Sequence, residues 1–205
     1  MGQFNTKNGF IYALLRWSME KTQYLNLIEY FKLAGSRLSK QTEPNAKRHL
    51  YISNAVDFYT ILKWLLILSL WYFKVNAGWI HWLVWYMIIT NLHTFIFYFL
   101  WKPSTNIDHD RSKKRFLKLI LAIFFSDLCF AYMYNIFYFQ EFTWDQKFWF
   151  PEQSIWFSIS NSVAGNYDKV KPLTEFSNTI SMIQYMITFL FVGVIISKAT
   201  PDNKP

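Results

Sequence analysis

Four long apolar runs constrain this chain more than any other feature. They cover roughly residues 53–73, 78–101, 116–139 and 180–197. Each run is close to the ~20 residues that an α-helix needs to cross ~30 Å of hydrocarbon. The pattern predicts an all-α membrane protein with about four transmembrane helices, which passes several times through the cell membrane and has the lipid bilayer as its surroundings.

The basic residues give these helices an orientation. A net charge of +8 would suit nucleic-acid binding if the cations lay among stacking aromatics on a polar fold, but here they flank apolar runs. Nucleic acid is therefore not expected as a partner. Lysine and arginine concentrate in the first 50 residues, in the 102–115 loop and at the C-terminus. The positive-inside rule then predicts that both termini and that loop are cytoplasmic.

The same runs divide the chain into four segments. Residues 1–50 form a basic cytoplasmic segment, and residues 51–115 a transmembrane hairpin followed by a basic loop. Residues 116–198 form a module of two helices and the segment between them, and residues 199–205 a short cytoplasmic tail.

The N-terminal segment has the spacing of amphipathic helices. Its apolar positions include Phe10, Leu14 and Trp17, while Arg16 and Lys21 lie among its polar positions. Such helices can lie on an anionic membrane surface. They can equally pack on the rest of the protein, and the sequence favours neither arrangement. A regulatory partner of unidentified kind would also bind here.

A short apolar stretch separates the third and fourth runs. Residues 151–159 amount to only about two helical turns, too few to cross a bilayer, and a Ser/Asn/Gly-rich stretch follows. A re-entrant helix and loop on the outer side would have this pattern. An amphipathic turn at the membrane interface would have it as well.

This region resembles the pore module of the potassium-channel superfamily. Residues 154–159 (Ser-Ile-Trp-Phe-Ser-Ile) are similar to the family's pore helix, Pro172 and Thr174 follow at about the usual distance, and Gln184 and Gly193 lie in a segment similar to its inner helix. The residues that stand at the position of the family's selectivity filter are Ser162, Val163, Ala164, Gly165, Asn166, Tyr167 and Asp168.

The resemblance implies a homotetrameric ion channel. It also implies a permeant potassium ion, or another monovalent cation such as sodium, a pore helix and a filter-like loop. The filter departs from the family motif in either of two registers. If Val163 to Asn166 replace V-G-Y-G, Ala164 stands where a glycine belongs, which costs about 1–2 kcal/mol. If Gly165 to Asp168 replace G-Y-G-D, the tyrosine has moved by one position. A non-conducting or regulatory protein that keeps this architecture is the alternative.

Two ionisable residues lie near the middle of predicted helices. Lys63 is in the first run and Asp127 in the third. An unpaired charge at that depth costs at least ~2.5–3.5 kcal/mol, so pairing or a wet cavity is expected. The sequence predicts a Lys63–Asp127 contact between the two helices, with an ion or proton relay as the functional alternative.

The remaining candidates indicate structure more than chemistry. Cys129 lies in an apolar run, typical of a buried hydrophobe, and His81 and His93 are typical of helix–helix hydrogen bonding. For Asp108-His109-Asp110, we favour a solvated loop over a metal site. Since no HExxH, GxSxG or P-loop pattern is present, neither an enzyme nor a bound metal or cofactor is expected.

Overall fold

A computed structural model describes residues 9–38, 45–98, 109–145 and 150–199 of the chain. Parts of two predicted segments, the loop at residues 99–108 and the tail from residue 200, lie outside the described residues. The chain divides into two compact units, Met1–Lys63 and Trp64–Pro205. The boundary falls inside a helix, and the four segments expected from the sequence stay a prediction.

The first unit contains α1 (Phe10–Thr22), α2 (Leu27–Leu38) and the first part of α3 (Asn45–Tyr72). The Phe31 ring on α2 lies 5.0 Å from that of Tyr59 on α3. Gly35 lets the two helices approach closely, because a Cβ there would come within 2.8 Å of the Tyr51 carbonyl oxygen. On α1, Phe10 and Trp17 are exposed, and the amphipathic role of this segment stays a prediction.

The second unit contains the rest of α3 and every later element. These are α4 (Gly78–Ile96), α5 (His109–Ile136), β1 (Phe142–Trp144), α6 (Phe150–Ser162), β2 (Val170–Pro172) and α7 (Glu175–Ala199). Helix α5 is central and packs against α4, α6 and α7. Large side chains of α5, among them Phe125, Phe130 and Tyr134, are fully buried in the core.

Three helices are long and apolar enough to cross a membrane. These spans are Lys47–Tyr72 in α3, Phe116–Ile136 in α5 and Glu175–Gly193 in α7. The chain is therefore mostly helical, as expected, and three of its helices suit a membrane protein. Helix α4 matches most of the second apolar run but is not one of these three spans. The fourth span stays a prediction.

A two-stranded antiparallel ribbon pairs the chain just before α6 (β1) with the chain after it (β2). Phe142 pairs with Pro172, and Trp144 with Val170. Each strand has only three residues, too few for a recognisable alternation of apolar and polar residues. The ribbon brings the two ends of the segment together, so α6 and its following loop leave and return at one place.

Helix α7 begins five residues before the predicted run. Thr174 accepts a hydrogen bond at Oγ1 from the Ser177 backbone N–H, at 3.2 Å, and its own N–H donates to Ser177 Oγ, at 3.0 Å. Two backbone donors at the start of the helix are thus satisfied reciprocally, as in a capping box. This cap extends the helix to Glu175, beyond the part that hydropathy alone predicts.

Candidate functional site

Helix α6 lies against α5 in the opposite direction. Near the middle of α6, the Phe157 ring lies 5.1 Å from that of Tyr134 and 5.4 Å from that of Phe142. At its end, Ser162 reaches Asp127, two turns earlier in α5 than Tyr134. The helix therefore runs from the end of α5 back towards its middle.

The end of α6 contacts α5 and α7 through a buried group of polar side chains, here called the polar cluster. Its members are Asp127 and Tyr134 of α5, Ser158, Asn161 and Ser162 of α6, and Gln184 and Thr188 of α7.

Asp127 is the ionisable carboxyl of the polar cluster, and it is 5% exposed. Ser162 Oγ donates to Asp127 Oδ1, and Gln184 Nε2 donates to the same oxygen at 3.2 Å. The Ser158 hydroxyl donates to the Asp127 backbone carbonyl at 2.7 Å. Both the main chain and the side chain of Asp127 thus accept hydrogen bonds from α6.

Gln184 is the centre of the cluster and is fully buried. Its Oε1 accepts from the Tyr134 hydroxyl at 2.8 Å and from Asn161 Nδ2 at 2.9 Å. Its Nε2 lies within 3.2 Å of four oxygens of Asp127, Ser158 and Ser162. Since an amide nitrogen carries two hydrogens, it donates to two of them at a time. One side chain of α7 therefore bonds to α5 and α6 together.

The sequence predicted Asp127 and Ser162 as site residues, placed Ser158 and Gln184 only in segments similar to the family's helices, and gave Tyr134 no role. A usable signal was present, because Ser154, Ser158 and Ser162 recur every four residues and so share one face of α6. Gln184 and Thr188 have the same spacing on α7. Two polar faces on adjacent apolar helices would have indicated a buried hydrogen-bonded contact.

Of the residues expected at the filter, Ser162 is the last residue of α6, and residues 163–168, here called the tip loop, follow it. The Gly165 N–H donates to the Ser160 carbonyl at 2.7 Å, and the Ala164 N–H to that of Asn161 at 3.1 Å. These two bonds are those of a Schellman motif, which ends a helix with one left-handed residue. That residue is Ala164, with φ 54°.

Gly165 fits at this position because it has no side chain. Its φ is not positive, and a Cβ at this position would lie 2.7 Å from Ser160 Oγ. Val163 is 74% exposed, and Asn166 Nδ2 donates to Asp168 Oδ1 at 2.7 Å. The tip loop is thus an exposed, polar turn, and its role as a selectivity filter stays a prediction.

The predicted Lys63–Asp127 contact would join two units of the chain. Lys63 is the last residue of the first unit, whereas Asp127 belongs to the second. The hydrogen bonds of Asp127 given above come from α6 and α7. The contact with Lys63 stays a prediction.

His81 lies in an open groove of about 550 Å³ between α4, the end of α5 and α7. Its Nε2 is 2.5 Å from the Tyr138 hydroxyl, and the Trp85 indole N–H donates to it at 3.2 Å. His93 stacks on Phe97, with ring centroids 5.9 Å apart. His81 thus bonds to Trp85 of its own helix and to Tyr138 in the turn after α5.

Among the described residues, no three His, Cys, Asp or Glu side chains are grouped so that they could hold a metal ion. The side chains of the triplet at residues 108–110 lie outside the described ones. Comparison with protein-family models, with curated proteins and with solved structures finds no match for this chain.

Proposed function

We propose that the chain is one subunit of a homotetrameric channel for monovalent cations, with potassium or sodium as the permeant ion. In this proposal α5, α6, the tip loop and α7 form the part that faces the pore. The observation that carries it is the hydrogen bond from Ser162, at the end of α6, to Asp127 in the middle of α5.

The depth of that contact supports a re-entrant segment. Asp127 lies about 13 Å along α5 from the end of the helix at Ile136, at ~1.5 Å per residue. Thr188, whose hydroxyl lies 3.3 Å from Ser162 Oγ, is about 20 Å along α7 from its start at Glu175. If α5 and α7 both cross a hydrocarbon layer of ~30 Å, the tip loop reaches about its middle.

A polar loop at that depth has to face water or protein. Gly165, Asn166 and Asp168 are exposed on the surface of the subunit. Hydrocarbon offers no hydrogen bonds to such groups, so non-helical backbone occurs in membranes only beside a cavity or another protein chain. Four copies around one axis would meet this requirement, because their tip loops would then face each other.

Charges of both signs lie at the tip loop. Asp168 is exposed there, and Lys169 and Lys171 follow within three residues. Cations near the mouth of a pore oppose cation entry. We therefore propose a weakly selective pore for monovalent cations.

The proposed setting is the cell membrane, with both termini cytoplasmic and the tip loop entering from outside. Basic residues of α1 and α2, among them Arg16 and Arg37, would then lie where anionic lipid headgroups are. This unit would be the contact surface for the inner leaflet or for a regulatory partner.

The backbone of the tip loop favours the alternative, a non-conducting protein of the same architecture. Successive carbonyls can line an ion path only if some residues adopt left-handed φ, as in potassium filters. Within residues 162–168, Ala164 alone has a positive φ. The Ser160 and Asn161 carbonyls accept hydrogen bonds of the helix end, which leaves them poorly placed for an ion.

Ion flux separates the two functions. Purified protein would be reconstituted in liposomes, and potassium and sodium flux measured after its oligomeric state in detergent has been established. Conduction predicts flux from a tetramer, and Asp168→Lys in the tip loop should lower it. Glu20→Lys on exposed α1 is a matched charge change that should have no effect. A tetramer without flux of either ion, or a stable monomer, would contradict the channel.

A further inference from the structure

A small cavity lies beside Asp127, separate from the tip loop. Its volume is about 200 Å³, and apart from Asp127 it is lined by apolar side chains. Leu121 and Phe124 form part of this lining and are themselves about half exposed. The cavity therefore opens on the apolar outer face of the second unit, where lipid would lie.

The carboxyl of Asp127 has two unlike oxygens. Both of its side-chain hydrogen bonds, from Ser162 and from Gln184, end on Oδ1. Oδ2 accepts none in the described part of the chain, and Asp127 lines the cavity. An ionised carboxylate would leave half of its charge on that oxygen, which is unfavourable in apolar surroundings. A neutral carboxyl needs only a proton on Oδ2.

In the described part of the chain, the groups of α6 and α7 that hydrogen-bond to Asp127 carry no positive charge. Helix α6 contributes serine hydroxyls, and α7 contributes Gln184 and Thr188. On α5, the Tyr134 hydroxyl donates to Gln184, and the buried thiol of Cys129 lies two residues after Asp127. On α4, His81 bonds instead to Tyr138.

Helix α3 brings Trp64 to the cavity. Lys63 precedes it in the chain, and the sequence pairs its ammonium with Asp127. An ion pair with Lys63 would keep the Asp127 carboxyl ionised. The expected Lys63–Asp127 pair and a neutral carboxyl therefore predict opposite protonation states.

We propose that Asp127 is a proton-binding site within the membrane. Its carboxyl is neutral, with the proton on Oδ2, and hydrophobic molecules reach it from the bilayer through the cavity. This site does not depend on conduction, and its test needs no ion flux. The failure of one proposal can therefore be told apart from the failure of the other.

A hydrophobic carbodiimide is the matching probe. Dicyclohexylcarbodiimide reacts with a protonated carboxyl: the proton moves to one nitrogen, and the carboxyl oxygen bonds to the central carbon. The resulting O-acylisourea rearranges to a stable N-acylurea, and no atom is lost. The reagent partitions into membranes, so it reports carboxyls that are both protonated and reached from lipid.

The experiment uses the full chain in liposomes, treated with dicyclohexylcarbodiimide and analysed by fragment mass spectrometry. We expect the adduct on Asp127, at least about tenfold weaker when the pH is raised from about 6 to about 9, because each unit changes the ratio of the two forms about tenfold. Asp127→Asn should remove the adduct. Glu175→Gln, at the exposed start of α7, should leave it unchanged.

The Lys63→Met variant distinguishes a neutral Asp127 carboxyl from an ionised one. A neutral carboxyl predicts the same labelling with and without the lysine. Several-fold stronger labelling in Lys63→Met would mean that the wild-type carboxyl is ionised by the lysine, and would overturn the proposal. The proposal would also be overturned if wild type formed no adduct while a water-soluble carbodiimide labelled exposed carboxyls in the same sample. Protection of Asp127 by sodium ions that does not vary with pH would overturn it as well.

Discussion

Ser162 donates a hydrogen bond to a carboxyl oxygen of Asp127, 35 residues earlier in the chain. The bond joins the last residue of α6 to the middle of α5, and Thr188 Oγ1 lies 3.3 Å from the same serine oxygen. Removing the hydroxyl by Ser162→Ala leaves both partners buried with a bond unmade. We expect a loss of about 1–2 kcal/mol in the free energy of unfolding.

The measurement is denaturant unfolding of the purified protein in detergent. Ser160→Ala, two residues earlier in α6, is the matched control and should change stability by less than about 0.5 kcal/mol. Equal stability of the two variants would mean that the Asp127–Ser162 bond contributes nothing to the packing of α6.

Gln184 should be the most sensitive position of the polar cluster. Gln184→Leu keeps the approximate size of the side chain but removes the acceptor of Tyr134 and Asn161 and a donor to Asp127. Because several buried groups lose partners at once, the loss should exceed that of Tyr134→Phe, which removes one bond, and reach about 2–4 kcal/mol.

The same unfolding assay tests this order. Met186→Leu is the control on α7, because Met186 is largely exposed and should tolerate the change. A smaller loss for Gln184→Leu than for Tyr134→Phe would show that the cluster relaxes around an apolar side chain.

The long helices were predictable because run length alone decides whether a segment can cross a bilayer. Helices α5 and α7 coincide with the third and fourth apolar runs except at their ends, where Thr174 and Ser177 extend α7. A cap of this kind depends on two polar residues at a set spacing and adds nothing to a hydropathy sum.

The contacts of the candidate site were not predictable in the same way. Asp127 was selected for its depth and Ser162 for its place in a filter-like motif, and neither reason implied that they touch. Their contact depends on α6 lying antiparallel to α5, and the β1–β2 ribbon that closes the segment joins residues 28 apart. Such pairing depends on how the whole unit packs, and the pattern of apolar and polar residues along the sequence does not specify that packing.

Tyr138 should make stability sensitive to alkaline pH. Burial raises the pKa of its phenol, so the folded protein keeps this proton to higher pH than the unfolded chain does. The stabilisation is fully present below about pH 10, where an unfolded tyrosine titrates, and is lost as the pH rises through the folded value. Tyr138→Phe should therefore make the alkaline fall in stability less steep.

Denaturant unfolding in detergent between about pH 9 and about pH 12 would measure this fall. Tyr24→Phe, at an exposed tyrosine of the first unit, should leave the slope as it is in wild type. An unchanged slope in Tyr138→Phe would show that its phenol titrates alike in the folded and unfolded protein.

Among the described residues, two helices are followed by a left-handed residue that is not glycine. Lys74, with φ 49°, lies two residues after the end of α3, and Ala164, with φ 54°, lies two residues after the end of α6. In both, the next residue donates to the carbonyl five positions earlier, from Val75 to Leu70 and from Gly165 to Ser160. A side chain with a Cβ is strained in this conformation by about 1–2 kcal/mol.

Lys74→Gly and Ala164→Gly should therefore each stabilise the protein, by up to about 1 kcal/mol once the greater freedom of glycine in the unfolded chain is subtracted. Gly165→Ala, next to the second site, should do the opposite, because its Cβ would lie 2.7 Å from Ser160 Oγ. Thermal unfolding in detergent gives the sign of each change. Destabilisation by Ala164→Gly while Lys74→Gly stabilises would mean that the tip loop adopts another backbone conformation in the assembled protein. Ion flux of Ala164→Gly in liposomes would then report whether that conformation is the conducting one.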